Sequence, residues 1–281
     1  MITVKSVVTP STPAEAFEAL QQNRFATLLG GGAFLRMGSK NITSLIDLSR
    51  CGLNQIIEHA HHWEIGATVT LGELEQHQEL NRHYDGLPAA AVREIVGVQL
   101  RNLVTVGASV YARYGFSDLI TGLLALPVTV RLHQAGEMPL ETFLEKGAGG
   151  RDLLEAIIIE KGSCRSGFAS LRKTAGDYAL LNAAAAITNG KLRISVGARP
   201  RRAALALEAM EFLEATTAVL QSSQASHLRW TVGDMEKAAE KAAAQLTFGT
   251  NSRGSSQYRQ HLCQVLVARV LQTCQQGGDP S

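Results

Sequence analysis

The sequence predicts an α+β protein in two parts, and three observations carry that reading. Strand-like and helix-like periodicities alternate over residues 1–162. The polar stretch "KGSCRSG" then interrupts the pattern, and short β-type runs with a hairpin signal follow it. From Arg202 onward the chain is rich in Ala, Gln and Glu at helical spacing, as in "RAALALEAMEFLEA", "DMEKAAEKAAAQL" and "QYRQHLCQVLVARVLQTC". A first domain over 1–162 and a second over 163–281, an antiparallel sheet covered by helices, is the expected organisation.

The first elements follow from local chemistry. "ITVKSVV" shows β-branched alternation, and "TPAEAFEALQQN" offers Thr12 as N-cap, Pro13 at the first helical position and Glu15 to close a capping box. "RFATLLGG" and "TSLIDLSR" read as further strands, and "HWEIGATVTLGELEQH" as a strand turning into a short helix, which together suggest a compact βαβ-like unit. A helix is expected from Leu87 to about Val96, then a Gly-, Ser- and Thr-rich loop, another apolar helix and a strand. In the second half the runs "FASLRK" and "YALLNAAAAITNGKLRISVGA" suit antiparallel strands or a strand with a helix, with Asn189-Gly190 a hairpin-type turn.

Composition narrows the function. The chain of 281 residues is 45% hydrophobic and 19% charged, with a formal charge of +2 and 5% aromatic residues, so it lacks the basic field and stacking rings of a nucleic-acid binder. The start "MITVKSVVTPSTPAEAF" has no leader-like apolar core, and no apolar run reaches the roughly 18 residues that span a bilayer, so a cytoplasmic protein with no membrane partner is expected. Cys51, Cys164, Cys263 and Cys274 show no paired spacing, which argues against a disulfide framework or a cysteine-held metal. No G-x-S-x-G elbow supports a hydrolase.

Two glycine loops carry the candidate chemistry. "ATLLGGGAFLRMGSK" breaks a strand with three glycines, yet it matches neither a Walker loop nor G-x-G-x-x-G, because Leu35 stands where the third glycine belongs. Unhindered backbone N–H groups there suit an anion such as phosphate; a structural turn is the other reading. In "RNLVTVGASV", Thr105 and Ser109 offer hydroxyls and Gly107 permits close approach, while Asp118 can accept from a ribityl or ribose hydroxyl. A capped helix start at Ser109 is the alternative there. The cluster "HAHHW" reads as a surface turn with His59 and His61 on one side and His62 on the other, so no metal site is expected.

The order of these segments resembles the FAD-binding medium subunit of the molybdenum hydroxylases, the xanthine dehydrogenase and carbon monoxide dehydrogenase family. The similarity runs through "LGGGAF", "LIDLSR" (Leu45 to Arg50), "IGATVTLGEL" (Ile65 to Leu74), "VQLRNLVTVGASV" (Val98 to Val110) and "SDL" (Ser117 to Leu119). It continues through "FASLRKTAGDYALLNAAAAI", "LRISVGARPRRAALALEAMEFLEA" and "SRGSSQYRQHLCQVLVARVL", which covers nearly the whole chain.

The resemblance implies a two-part FAD-binding domain of the PCMH-like type followed by the small α+β domain. It also implies that the backbone of Leu28, Leu29, Gly30, Gly31, Gly32, Ala33 and Phe34 holds the FAD pyrophosphate. Thr105, Gly107, Ala108 and Ser109 would form a second phosphate and ribityl loop, and Asp118 would bind a hydroxyl. Departures are visible: Gly32 and Ala33 replace residues with polar side chains, Ala108 and Ser109 replace Gly and Asn, and the family's lysine and second arginine fall on Ser170 and Thr174, so that a cationic partner for the flavin is either lost or supplied by Lys173. Weaker FAD retention is therefore expected.

The family's partners are a molybdopterin-binding large subunit and a 2Fe–2S small subunit, with electrons passing through FAD to NAD or another acceptor. The absence of cysteine clusters suits a flavin-only chain. A scaffold or assembly subunit that has lost FAD is the alternative, and a self-contained flavin oxidase a more distant one.

Overall fold

The computed structural model describes residues 2–39, 41–222 and 230–276. The chain forms two compact units: Met1–Gln76, Val96–Arg113 and Val128–Lys161 make the first, and His77–Ile95, Tyr114–Pro127 and Gly162–Ser281 the second.

In the first unit, strand Ser44–Asp47 lies between Val7–Val8 and Ala26–Leu29 in a three-stranded parallel sheet, and Thr3–Val4 pairs with Asn41–Ile42 beside it. Helix Pro13–Gln22 makes the crossover between the two outer strands, which run parallel. Ala16 and Leu20, four residues apart on one helical face, bury against Ala26, Ile46 and Leu48. Thr12 caps this helix as expected by accepting from the Glu15 N–H at 3.2 Å, but the Glu15 carboxylate reaches one residue further back, to the Ser11 N–H at 2.7 Å.

The βαβ pattern ends at Asp47. From Ile56 the strands are antiparallel, in a five-stranded sheet ordered Ile56–Glu58, His62–Gly66, Leu154–Glu160, Val128–Leu132, Gly136–Pro139. Its central strand "LEAIIIE" is nearly continuous in apolar residues because both of its faces are covered, and Ile157 and Ile159 are fully buried.

The second unit is a four-stranded antiparallel sheet, Cys164–Leu171, Leu181–Thr188, Lys191–Gly197 and Ala204–Leu205 in that order, with helices on both faces. Helices Leu207–Ser222, Val232–Gln245 and Ser256–Gln276 cover the face carrying Leu181, Ala183, Ala185, Ile194 and Val196. Helix Asp118–Leu124 packs on the other face, against Asn182, Ser195 and Gly197. The run Ala183 to Ala186 is wholly buried, since close helices on both sides leave room only for methyl groups.

Asn189 and Gly190, at φ of 50° and 77°, make the tight turn between the two central strands, as their left-handed preference requires. The helix expected to run to Val96 is shorter, Leu87–Arg93, with Glu94 as its C-cap.

Candidate cofactor site

Within the first unit the two glycine loops meet. Strand Ala26–Leu29 delivers half-buried Leu28 and Leu29 to its end, and the chain then turns through Gly30, Gly31 and Gly32 into the helical turn Ala33–Arg36, which carries the exposed Phe34. Each glycine has its own cause. A Cβ on Gly30 would stand 2.5 Å from Thr105 Oγ1, and one on Gly31 would fall inside the Leu103 carbonyl. Gly32 holds a φ of 72°, in the left-handed region. Among the described residues, the N–H groups of Gly31, Gly32 and Ala33 have no hydrogen-bond acceptor. Consecutive unpaired backbone donors on a turn can form an anion-binding concavity.

The second loop is the wall on which this concavity rests. "IGATVT" templates it: Leu71 N–H donates to Val104 O, Val106 N–H to Val69 O, and Gly107 N–H to Ala67 O at 2.8 Å. A Cβ on Gly107 would lie 2.5 Å from that of Ala67, so this glycine is required by packing against Ala67. Thr105, 5% exposed, caps helix Val106–Ala112 by accepting from Ala108 N–H, and Ser109 Oγ donates to Thr105 O at 2.8 Å. The helix start expected at Ser109 lies at Thr105, and both hydroxyls are engaged within the loop. Ala108 is the exposed member of the stretch. Ala67 and Val69 were not singled out by sequence reasoning, although the "IGATVT" motif that contains them was.

In the second unit, Asp118 begins helix Asp118–Leu124 behind the cap Ser117, and it is only 4% exposed. Arg172 Nη2 donates to its Oδ2 at 2.7 Å, and Asn182 Nδ2 donates to Oδ1. Burial pushes the Asp118 carboxyl above its ordinary value, against the pull of the Arg172 guanidinium. Arg172 also donates to Glu94 Oε2 at 3.0 Å and to the Asp177 carbonyl, and Ser170 donates to the same Glu94 oxygen. Burial works to raise the Glu94 carboxyl, but the hydrogen bonds from Ser170 and Arg172 hold it below its usual range.

A ligand hydroxyl at Asp118 would have to share an engaged oxygen. The cation beside Asp118 is Arg172, which is partly buried, whereas Lys173, the next residue and the cation the sequence singled out, is exposed and reaches the Ser252 carbonyl at 3.4 Å. Arg172, Asn182 and Glu94 were missed; the visible signal for one of them was a lone Asn opening a run of four alanines.

The histidine cluster differs from expectation. Alternation does not continue through the two-residue connection Ala60-His61, so His59 stacks on His62 at a ring separation of 4.4 Å, with Glu64 on the same face, and His61 is left exposed. All four cysteines are free, and burial pushes the Cys263 and Cys274 thiols up to about 12. No helix among the described residues is long and apolar enough to cross a membrane.

The first unit carries a glycine-lined turn on a mixed parallel and antiparallel scaffold and the second a helix-covered antiparallel sheet, and comparison with known proteins gives the family. A family model for the FAD binding domain in molybdopterin dehydrogenase matches residues 3–160, and one for the CO dehydrogenase flavoprotein C-terminal domain matches 166–274. The chain belongs to the family of FAD-binding medium subunits of molybdenum hydroxylases. It is therefore a subunit of an oxidoreductase, with FAD as its cofactor.

A relative, the nicotine 6-hydroxylase medium subunit of Paenarthrobacter nicotinovorans, is 24% identical over 282 aligned positions, covering 93% of this chain and 94% of that subunit. The fold is shared with a chain of quinoline 2-oxidoreductase from Pseudomonas putida 86 (TM-score 0.83, 21% identity, 98% of each chain). It is shared also with one of reconstituted CO dehydrogenase from Oligotropha carboxidovorans (TM-score 0.84, 22% identity, 98% and 99% of the two chains). The unpaired N–H groups of Gly31 to Ala33 are donors of the kind that suit the acceptor oxygens of a pyrophosphate.

Proposed function

We propose that this chain is the electron-transfer subunit of a cytoplasmic, multi-subunit molybdenum hydroxylase, working with a molybdopterin-binding large subunit and a 2Fe–2S small subunit. Electrons would pass from iron–sulfur centres through FAD to NAD or another acceptor. The observation that supports this reading is the cradle itself, three unpaired N–H groups on a turn too crowded for any residue but glycine at Gly31.

In this reading the Gly31 to Ala33 amides bind the pyrophosphate, and Thr105 to Ser109 hold the turn in shape from behind. When bound, FAD supplies reversible one- and two-electron exchange. Neither Leu28 to Phe34 nor Thr105 to Ser109 contains a side chain that titrates near neutrality, so these loops position the cofactor without moving a proton. Binding energy comes from preorganised dipoles that need no reorientation when charge changes.

A second reading, an assembly subunit with weak or lost FAD binding, is favoured by one observation: Ala33 and Ala108 supply no side-chain donors, and the Ser109 hydroxyl is engaged within its own loop. Anaerobic mixing of the purified three-subunit complex with NADH separates the readings. Bleaching of the flavin band identifies NAD as an acceptor. Bleaching by the hydroxylase substrate but not by NADH points to another acceptor, and a complex without a flavin band supports the assembly subunit.

A further inference from the structure

The observation that the cofactor reading leaves unused is the side-chain group His59, His62 and Glu64 on the five-stranded sheet of the first unit. Strands Ile56–Glu58 and His62–Gly66 form a hairpin in which Ile57 stands opposite Glu64 and the His59 N–H donates to the His62 carbonyl at 2.9 Å. His62 and Glu64 are two apart on one strand, so they project from the same face. The tight connection then folds His59 over His62. One donor atom from each residue lies within 4.8 Å of the others.

We propose that His59, His62 and Glu64 form a binding site for one divalent transition-metal ion of the zinc type. Two imidazoles and one carboxylate are the donor set that zinc accepts in three-residue sites, where water completes the tetrahedron. His59 Nε2 is shielded from solvent and has no hydrogen-bond partner. Glu64 Oε2 stands 3.7 Å from it, beyond hydrogen-bond reach. Metal–ligand bonds of about 2.0–2.2 Å span that 3.7 Å gap at an angle of about 125°, not far from tetrahedral. A His62 ring nitrogen, the third donor, lies within 4.8 Å of both.

The surroundings favour a cation. Glu64 keeps Oε2 toward His59 because its other oxygen is held by Arg131 Nη1 at 2.8 Å. Outer partners of this kind orient metal-ligating carboxylates. Arg131 is in turn paired with Glu137 at 3.0 Å, so two carboxylates share one guanidinium and the group carries net negative charge. Lys161, another cation nearby, is paired with Glu58 and donates to the His59 carbonyl.

The site is tested by calorimetric titration of the chelator-treated, full-length, FAD-loaded chain with Zn²⁺, and by Co²⁺ absorption as a report of coordination. One equivalent is expected to bind, with the ligand-field bands of four-coordinate cobalt. Binding should weaken at least tenfold in His62→Ala and in Glu64→Gln, and should be unchanged in His61→Ala, which removes the neighbouring exposed imidazole. Glu64→Gln is nearly isosteric and decides the matter if His62→Ala does not fold. No saturable binding, equal weakening in His61→Ala, or full binding in Glu64→Gln would overturn the site. The flavin spectrum reports on the cofactor cradle separately, so failure of one claim is distinguishable from failure of the other.

Discussion

Gly31 shows how a single missing methyl group decides a site. Its Cα faces the Leu103 carbonyl so closely that any side chain must push the two loops apart. Overpacking of this kind costs about 1–3 kcal/mol. Gly31→Ala is expected to destabilise the chain by that amount in urea denaturation and to weaken FAD binding at least tenfold in a fluorescence titration. Gly150→Ala is the control, because a Cβ there meets nothing within 4 Å. The glycine run was legible in the sequence as a place of close approach, but not the distinct cause at each position. Nor does a linear sequence say which of two adjacent cations pairs with Asp118. Arg172 closes on Asp118 because the chain leaves the strand Cys164–Leu171 just before it, a tertiary fact with no local signature.

At the scale of elements, helix Ser256–Gln276 is secured by Arg259, which is 1% exposed and sits in the "SSQYRQHL" stretch that resembles the family's terminal helix. Its guanidinium donates to the carbonyls of Leu180 (2.8 Å), Gly249 (2.8 Å) and Gly254 and to Asn251 Oδ1 (2.7 Å). Without Arg259 the buried Leu180 carbonyl and the part-buried Gly249 carbonyl lose this donor, while the Gly254 carbonyl keeps the Asn251 N–H; a buried group left unpaired costs about 1–3 kcal/mol, so Arg259→Met is expected to lower stability by about 2 kcal/mol or more. Equilibrium urea unfolding followed by far-UV circular dichroism measures it; a loss below 1 kcal/mol would assign the arginine a lesser role. The Thr12 cap and the Asn189-Gly190 hairpin were legible because their signals are local, whereas the helix start read at Ser109 lies at Thr105. The antiparallel partnership of His62–Gly66 with Leu154–Glu160 was not, since alternation identifies a strand but not its neighbour. The same limit hid the meeting of His59 with His62 and Glu64, which depends on where the strand stops and the turn begins.

For the whole molecule, the order of motifs along the chain carried the family, and the sheet-and-helix composition of the second unit followed from periodicity. Recruitment of His77–Ile95 and Tyr114–Pro127 into the second unit was not legible, because nothing in their composition separates them from the segments on either side. Their packing rests on contacts distant in sequence, such as Ser166 Oγ to Tyr84 O and Ser195 Oγ to Thr121 O. FAD binding by this chain depends on the backbone cradle holding the cofactor without side-chain donors from Ala33 and Ala108. The measurement that tests this most directly is the visible spectrum and melting temperature of the purified chain with and without saturating FAD. A ligand bound only by the native state at about 100 times its Kd stabilises it by about 2.7 kcal/mol. A bound-flavin spectrum with a rise of several degrees in Tm is the predicted result; a colourless chain whose Tm does not move at saturating FAD would contradict it.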